Sequence, residues 1–118
     1  MSEATVKAFI DGLNDVAEAV LSISQAKGFW EKDKEHNPQF AANLHGEVSE
    51  LWEAYRKQRL QAQCDKTIPL TCQEEELADI IIHALEYAAF HNIDIEKAIV
   101  EKSAYNATRG WRHGGKVA

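Results

Sequence analysis

The sequence contains few cysteines and no long hydrophobic run, and each scarcity excludes a class of protein. Cys64 and Cys72 are the only cysteines, too few for a disulfide scaffold and without the paired spacing of a zinc site. No apolar run approaches the roughly 18 residues that a membrane span needs. Residues 1–5 are not a basic segment leading into an apolar one, so we expect no signal peptide, a cytoplasmic location and free thiols.

Positive charge is scarce in most of the chain and concentrated towards its end. Residues 1–96 carry 8 Lys and Arg against 18 Asp and Glu, whereas residues 97–118 carry 5 against 1. An acidic body does not suit a protein that binds duplex nucleic acid, which needs a basic face. One interpretation is that the acidic body binds cations through its carboxylates while the basic segment binds anions. The alternative is that the basic segment only complements the acidic surface.

The apolar residues predict an all-α fold. A chain of 118 residues, 45% of them hydrophobic, suffices for one domain with a single core. Apolar side chains recur at three- and four-residue steps, which is typical of amphipathic helices, and no useful strand pattern appears. We predict a bundle of four main helices that run from Val6 to near Gly28, from Pro38 to about Arg59, from Thr71 to His91 and from Asp94 to Gly110.

The third helix is predicted to be the central one. Thr71 and Glu74 form a capping box at its start. Residues 77–90 are apolar almost all round, which is typical of a helix packed on several sides. Such a helix in so short a chain also favours self-association, because a second copy can complete the core.

Two pairs of carboxylates stand at i, i+3 spacing: Glu47 with Glu50 in the second helix, and Glu76 with Asp79 in the third. Residues three apart lie about 60° apart around a helix, so each pair can face one point. Two antiparallel helices with such pairs can surround a hard cation, Mg²⁺ or Mn²⁺, with oxygen ligands. The alternative is a chance spacing on solvated faces. A di-iron bundle is disfavoured, since it needs a histidine three residues after a glutamate.

Other polar residues have two interpretations each. His83 lies one turn beyond Asp79, where it either orients a ligand or is a core or interface histidine. Lys102, Asn106 and Arg109 follow one face of the fourth helix at i, i+4 and i+7. They offer donors suited to phosphate, or they only complement the helix dipole.

The ordered set of motifs resembles the MazG-like family of all-α nucleoside triphosphate pyrophosphohydrolases. The residues that carry the resemblance are ExxE at 47–50, ExxD at 76–79, and the Lys, Asn and Arg within 102–109. The likeness spans roughly residues 28–116. It implies a single MazG-like helical domain over residues 1–118, with a flexible basic tail over 109–118.

The resemblance also implies a reaction. It is the Mg²⁺-dependent hydrolysis of a (deoxy)nucleoside triphosphate to a monophosphate and pyrophosphate, with the clearing of non-standard nucleotides as the expected role. The implied metal ligands are Glu47, Glu50, Glu76 and Asp79, with Glu50 also accepting the proton of the attacking water. The implied substrate contacts are Lys102, Asn106 and Arg109 for the triphosphate, and Trp30 and His36 for the nucleobase. The family implies a homodimer or a homotetramer. The alternative to this enzymatic function is a non-catalytic helical oligomerisation or interaction module.

One position departs from the family pattern. Many members carry a further glutamate directly before the ExxE motif, where this chain has Gly46. The departure bears on the number of metal ions. Glu53, three residues after Glu50, is the candidate to compensate, although it points further from the apolar stripe.

Overall fold

The computed structural model describes residues 6, 7, 10–31 and 38–110. The continuous helices within these ranges are α1 (Leu13–Ala26), α2 (Pro38–Arg56), α3 (Cys72–Phe90) and α4 (Ile95–Thr108). Within the described ranges the only β-type pairing is an isolated antiparallel bridge between Gln63 and Thr71. The predicted all-α class is therefore confirmed. No described helix combines the length and apolar character that crossing a membrane requires.

Three helices end in the same way, with a left-handed residue just after the last turn. The φ angles are 92° at Gly28, 56° at Gln58 and 56° at Asn92. After each helix, two backbone amides donate to carbonyls of the last turn, which is the Schellman pattern. The ends of α1 and α3 lie where the sequence predicts them. The predicted end of α2 near Arg59 is wrong, because the chain leaves the helix after Arg56.

The predicted first helix contains a break that its apolar spacing does not indicate. Asp11 and Gly12 form a turn, and Gly12 has a φ of 97°. Val6, Lys7 and Ile10 are helical before this turn, and the continuous helix α1 begins after it, at Leu13. The apolar spacing continues across this break and therefore does not predict it. The break arises because Gly12 adopts a left-handed conformation, which glycine permits.

The predicted capping box is present at the start of α3, which packs against both α1 and α2. The Glu74 amide donates to Thr71 Oγ1 at 3.2 Å, and the Thr71 amide donates to Glu74 Oε1 at 2.9 Å. The buried core lies on the side of α3 that faces α1 and Trp30, a residue that follows α1 in the chain. Its members are Ala17, Leu21, Trp30, Leu85 and Ala89.

Helix α4 is held against α1 through its N-terminal turn. Asp94 caps the helix by accepting from the Lys97 amide at 3.0 Å, as predicted. Asn14 of α1 donates through Nδ2 to Asp94 at 2.9 Å, and its Oδ1 accepts from the Ile95 amide at 3.0 Å. The backbone amide of Asn14 in turn donates to Glu96 Oε2 at 2.7 Å. These contacts fix where α4 starts relative to α1.

One side of α2 and α3 leaves large apolar side chains exposed. Trp52 and Tyr55 of α2 stack on each other, with ring centroids 5.5 Å apart, and are 57% and 60% exposed. Leu77 and Ile81 of α3 are each 49% exposed. The expectation that α3 is covered on several sides thus holds only for its α1 and α2 faces. An adjoining apolar groove of about 370 Å³ is lined by Val48, Leu51, Trp52, Tyr55, Leu60 and Gln73.

Candidate metal site

The structure brings together the four carboxylates that the sequence pairs as Glu47 with Glu50 and Glu76 with Asp79. One ligand oxygen from each of the four lies within 4.8 Å of the others. Glu47 is adjacent to His83, whereas Glu50 interacts with Glu76. The later residue of α2 thus contacts the earlier residue of α3, so the two helices run antiparallel. This arrangement places both i, i+3 pairs on the facing sides of the helices.

Burial and mutual repulsion disfavour the charged forms of these carboxyls. Burial, followed by the nearby Glu50, raises the pKa of Glu76 to about 7. The pKa of Glu47 is raised by burial and then by Glu50, and that of Asp79 by burial and then by Glu75. A divalent cation placed among them would offset this repulsion.

One buried oxygen of the four carboxylates lacks a hydrogen-bond partner among the described residues. Glu76 Oε2 is buried, and within the described ranges it accepts no hydrogen bond. Among the same residues, no lysine or arginine pairs directly with Glu47, Glu50, Glu76 or Asp79. A buried oxygen that lacks a partner costs free energy unless something occupies the space beside it. The donor set and this orphaned oxygen fit a hard divalent cation.

His83 lies at the edge of the cluster. Its Nδ1 is 4.0 Å from Glu47 Oε1, and its ring centroid is 5.6 Å from that of Trp30. Its Nε2 is buried and has no hydrogen-bond partner in the described part of the chain. The structure thus places His83 between the carboxylates and the core, which leaves both of its sequence interpretations open.

Glu75 adds a buried carboxylate that the sequence analysis missed. It is 6% exposed, and its Oε1 lies 2.6 Å from Nζ of Lys66, which also lies 3.1 Å from Asp65. The hydrogen bond with Glu75 is the main cause that raises the pKa of Lys66. Lys66 is in the connector between α2 and α3, whose path follows no periodic pattern, so this pair could not be predicted from the sequence. Glu75 stands four residues before Asp79, and this i, i+4 spacing does indicate that the two side chains share a face of α3.

A cleft of about 360 Å³ opens beside Glu50 and Glu76, between the end of α2 and the connector. We call it the connector cleft. Ala54 lines it, and its small side chain leaves room next to Glu50. Glu53, the candidate to compensate for Gly46, also lines it but is paired with Arg56 at 3.1 Å. The cleft wall is completed by Lys57, Arg59, Asp65, Lys66, Cys72 and Glu75.

Trp30, which the resemblance assigns to the nucleobase, is placed in the core. It is 7% exposed, and its Nε1 donates to the buried Glu86 Oε2 at 2.8 Å. Phe40 and Phe90 cover it, with ring centroids at 4.4 Å and 5.0 Å. Glu86 was also missed, although a carboxylate within the most apolar helix was a visible signal. The structure gives Trp30 a packing role, and base stacking stays a prediction. His36 lies outside the described residues.

The three basic-stripe residues lie on or directly after α4. Lys102, Asn106 and Arg109 are all exposed. Lys102 Nζ lies 4.8 Å from the Tyr105 ring centroid, and Arg109 lies 5.9 Å from it. Arg109 is the C-cap and has left the helical conformation, so the predicted stripe ends one residue beyond the helix. Within the described ranges, no ion pair or hydrogen bond joins these three to the carboxylates.

Comparison of the chain with family models, with curated proteins and with solved structures finds no match in any of the three. The resemblance to the MazG-like family therefore depends on the motif residues alone. The geometry of the carboxylate cluster is an independent observation, since it follows from how α2 and α3 pack.

Proposed function

We propose that this protein is a Mg²⁺-dependent nucleoside triphosphate pyrophosphohydrolase, with Mn²⁺ as an alternative ion. The observation that supports the proposal is the four-carboxylate cluster. Two helices present four oxygens within 4.8 Å of one another, three of the four residues are partly buried, and one buried oxygen has no partner among the described residues. Oxygen-only donor sets favour Mg²⁺ or Mn²⁺ over softer metals.

Each carboxylate has a role in the proposed reaction. Glu47, Glu50, Glu76 and Asp79 would hold the metal. When bound, the metal would neutralise charge on the phosphate oxygens and lower the pKa of water. Glu50 is the most exposed of the four, so it is the residue placed to accept the proton of a water from the solvent side.

The bond changes are simple. The water oxygen forms a bond to the α-phosphorus of a nucleoside triphosphate, and the bond between that phosphorus and the α–β bridging oxygen breaks. Pyrophosphate leaves with the electron pair, and the water proton goes to Glu50. In this proposal Lys102, Asn106 and Arg109 contact the triphosphate, as the resemblance implies. Because these residues belong to the α4 segment, which packs on α1, we assign them to the site of a neighbouring subunit in the assembled protein.

The assembly that we propose is a homodimer or a homotetramer of this MazG-like bundle. Its interface is the exposed apolar surface of α2 and α3, with the apolar groove at its centre. Gln73 lines that groove, and Leu77 and Ile81 follow it at i+4 and i+8 on the same side of α3. Large contiguous apolar patches of this kind are typical of protein interfaces.

The experiment that tests the function is a hydrolysis assay on canonical and modified nucleoside triphosphates. Wild type, Glu50→Gln and Asp79→Asn are compared, with Glu18→Gln on the exposed side of α1 as the matched control. We expect Mg²⁺-dependent release of pyrophosphate by wild type and Glu18→Gln, and a loss of at least about a hundredfold in both site variants. Full activity in both site variants would exclude this metal site. No turnover of any nucleotide by wild type would favour the helical interaction module.

A further inference from the structure

The connector cleft contains one cation without a direct ion pair in the described ranges, although Asp65 is near enough to interact with its charge. Of the three cations in its wall, Lys57 lies 3.8 Å from Glu53, and Lys66 is paired with Glu75 at 2.6 Å. The side chain of Arg59 has no ion pair or hydrogen bond within the described ranges, yet it lines the same cleft as Glu50. A guanidinium with unused donors at the mouth of a carboxylate site is suited to an anion.

The position of Arg59 is fixed by the end of α2. The Arg59 amide donates to the Ala54 carbonyl at 2.9 Å, within the turn that Gln58 makes with its φ of 56°. Ala54 itself lines the connector cleft one turn after Glu50. Arg59 is therefore held by the same helix that carries Glu47 and Glu50, and it belongs to the same protomer as the carboxylate cluster.

The charge of the cleft wall determines when an anion can enter. Five carboxylates line it against three cations, so negative charge exceeds positive charge by two when all are ionised. The carboxylates are Glu50, Glu53, Asp65, Glu75 and Glu76, and the cations are Lys57, Arg59 and Lys66. Glu47 and Asp79 add further negative charge beside this wall, so one divalent cation would reduce the local excess without cancelling it. A polyanion that also chelates the metal can then reach Arg59, whereas an anion alone is repelled.

We propose that Arg59 binds the phosphate chain of the substrate, with the terminal phosphates lying in the connector cleft. The ligand class is a polyphosphate that chelates Mg²⁺. This inference uses the metal site of the proposed function, but it assigns the phosphate contact to the α2–α3 connector of the same protomer. It adds a cation to the two of the α4 segment, Lys102 and Arg109.

The test measures the binding of inorganic tripolyphosphate by calorimetry, with Mg²⁺ and with EDTA. The proteins are wild type, Arg59→Gln and the matched control Arg56→Gln. Arg56 is the same residue type three positions earlier, but it pairs with Glu53 and does not line the cleft. With Mg²⁺, we expect Arg59→Gln to weaken binding by about tenfold or more, as loss of a charge-assisted contact does. We expect Arg56→Gln to stay within about twofold of wild type, and binding in EDTA to be weak for all three.

The outcomes separate this inference from the proposed function. Arg59→Gln binding as tightly as wild type, or Arg56→Gln losing as much as Arg59→Gln, would overturn it. Absence of tripolyphosphate binding by wild type in Mg²⁺ would also overturn it, whether or not nucleotides are hydrolysed. A wild type that binds tripolyphosphate through Arg59 yet hydrolyses no nucleotide supports this inference and overturns the proposed activity.

Discussion

Glu50 and Glu76 face each other across the contact between α2 and α3, and their proximity adds to burial in raising the pKa of Glu76 to about 7. The two carboxyls belong to helices separated by a connector in the sequence. Near neutral pH their repulsion is only partly relieved by protonation of Glu76. Folding therefore creates a concentration of negative charge at the place where the proposed function needs a cation.

The stability of the metal-free protein should fall as the pH rises from 5 to 8. The ordinary pKa of Glu76 is 4.5, so between about 4.5 and 7 the folded state retains a proton that the unfolded state has lost. Stability decreases with pH wherever the folded state binds more protons. The raised pKa values of Glu47 and Asp79 act in the same direction. Thermal unfolding in EDTA at several pH values measures the slope.

Glu76→Gln is neutral at every pH and should flatten that slope, whereas Glu18→Gln on the exposed side of α1 should not. Asp65 and Asp94 have lowered pKa values, owing mainly to hydrogen bonds with Lys66 and Asn14. Their stabilising effect is lost only as the pH falls through values below 3.8, so it does not enter the window above 5. A melting temperature independent of pH in wild type would contradict the prediction.

Mg²⁺ should stabilise the fold, and more strongly at pH 8 than at pH 5.5. The ion binds the ionised carboxylates, which are more abundant above the raised pKa of Glu76. At a hundredfold excess over Kd, an ion adds about 2.7 kcal/mol, roughly 10 °C in melting temperature for a domain of this size. Glu50→Gln and Asp79→Asn should lose most of this shift, and Glu18→Gln should keep it. Equal shifts in all four proteins would place the ion elsewhere.

The sequence predicts the elements of this fold better than the contacts between them. Helix periodicity and the Thr71 capping box are local, so the four helices and the start of α3 follow from short segments. The i, i+3 carboxylate spacing is local too, and it predicts which residues share a face. By contrast, the pairs Glu75–Lys66 and Trp30–Glu86 join distant parts of the chain. Such pairs depend on the path of connectors, which carries no periodic signal.

The hydrogen bond from Trp30 to Glu86 should contribute measurably to stability. Trp30→Phe keeps most of the apolar volume but leaves the buried Glu86 oxygen without its donor, since the bond is 2.8 Å long and inside the core. We expect a loss of about 1–3 kcal/mol in the free energy of unfolding, measured by urea titration. Glu86→Gln should lose less, because its amide oxygen can still accept. Phe29→Leu, at a position that is 67% exposed and outside the apolar groove, serves as the control and should stay within about 0.5 kcal/mol.

Self-association should depend on the exposed side of α2 and α3. Trp52→Glu would put a charge beside the apolar groove, where Trp52 stacks on Tyr55. Burying an unpaired charge in an apolar interface is costly, so the dissociation constant should rise by about a hundredfold or more, measured by sedimentation over a range of concentrations. Ile23→Glu is the matched control, because Ile23 is 65% exposed on α1 and lies outside the groove. A wild type that stays monomeric at high micromolar concentration, or equal dissociation in both variants, would exclude this interface.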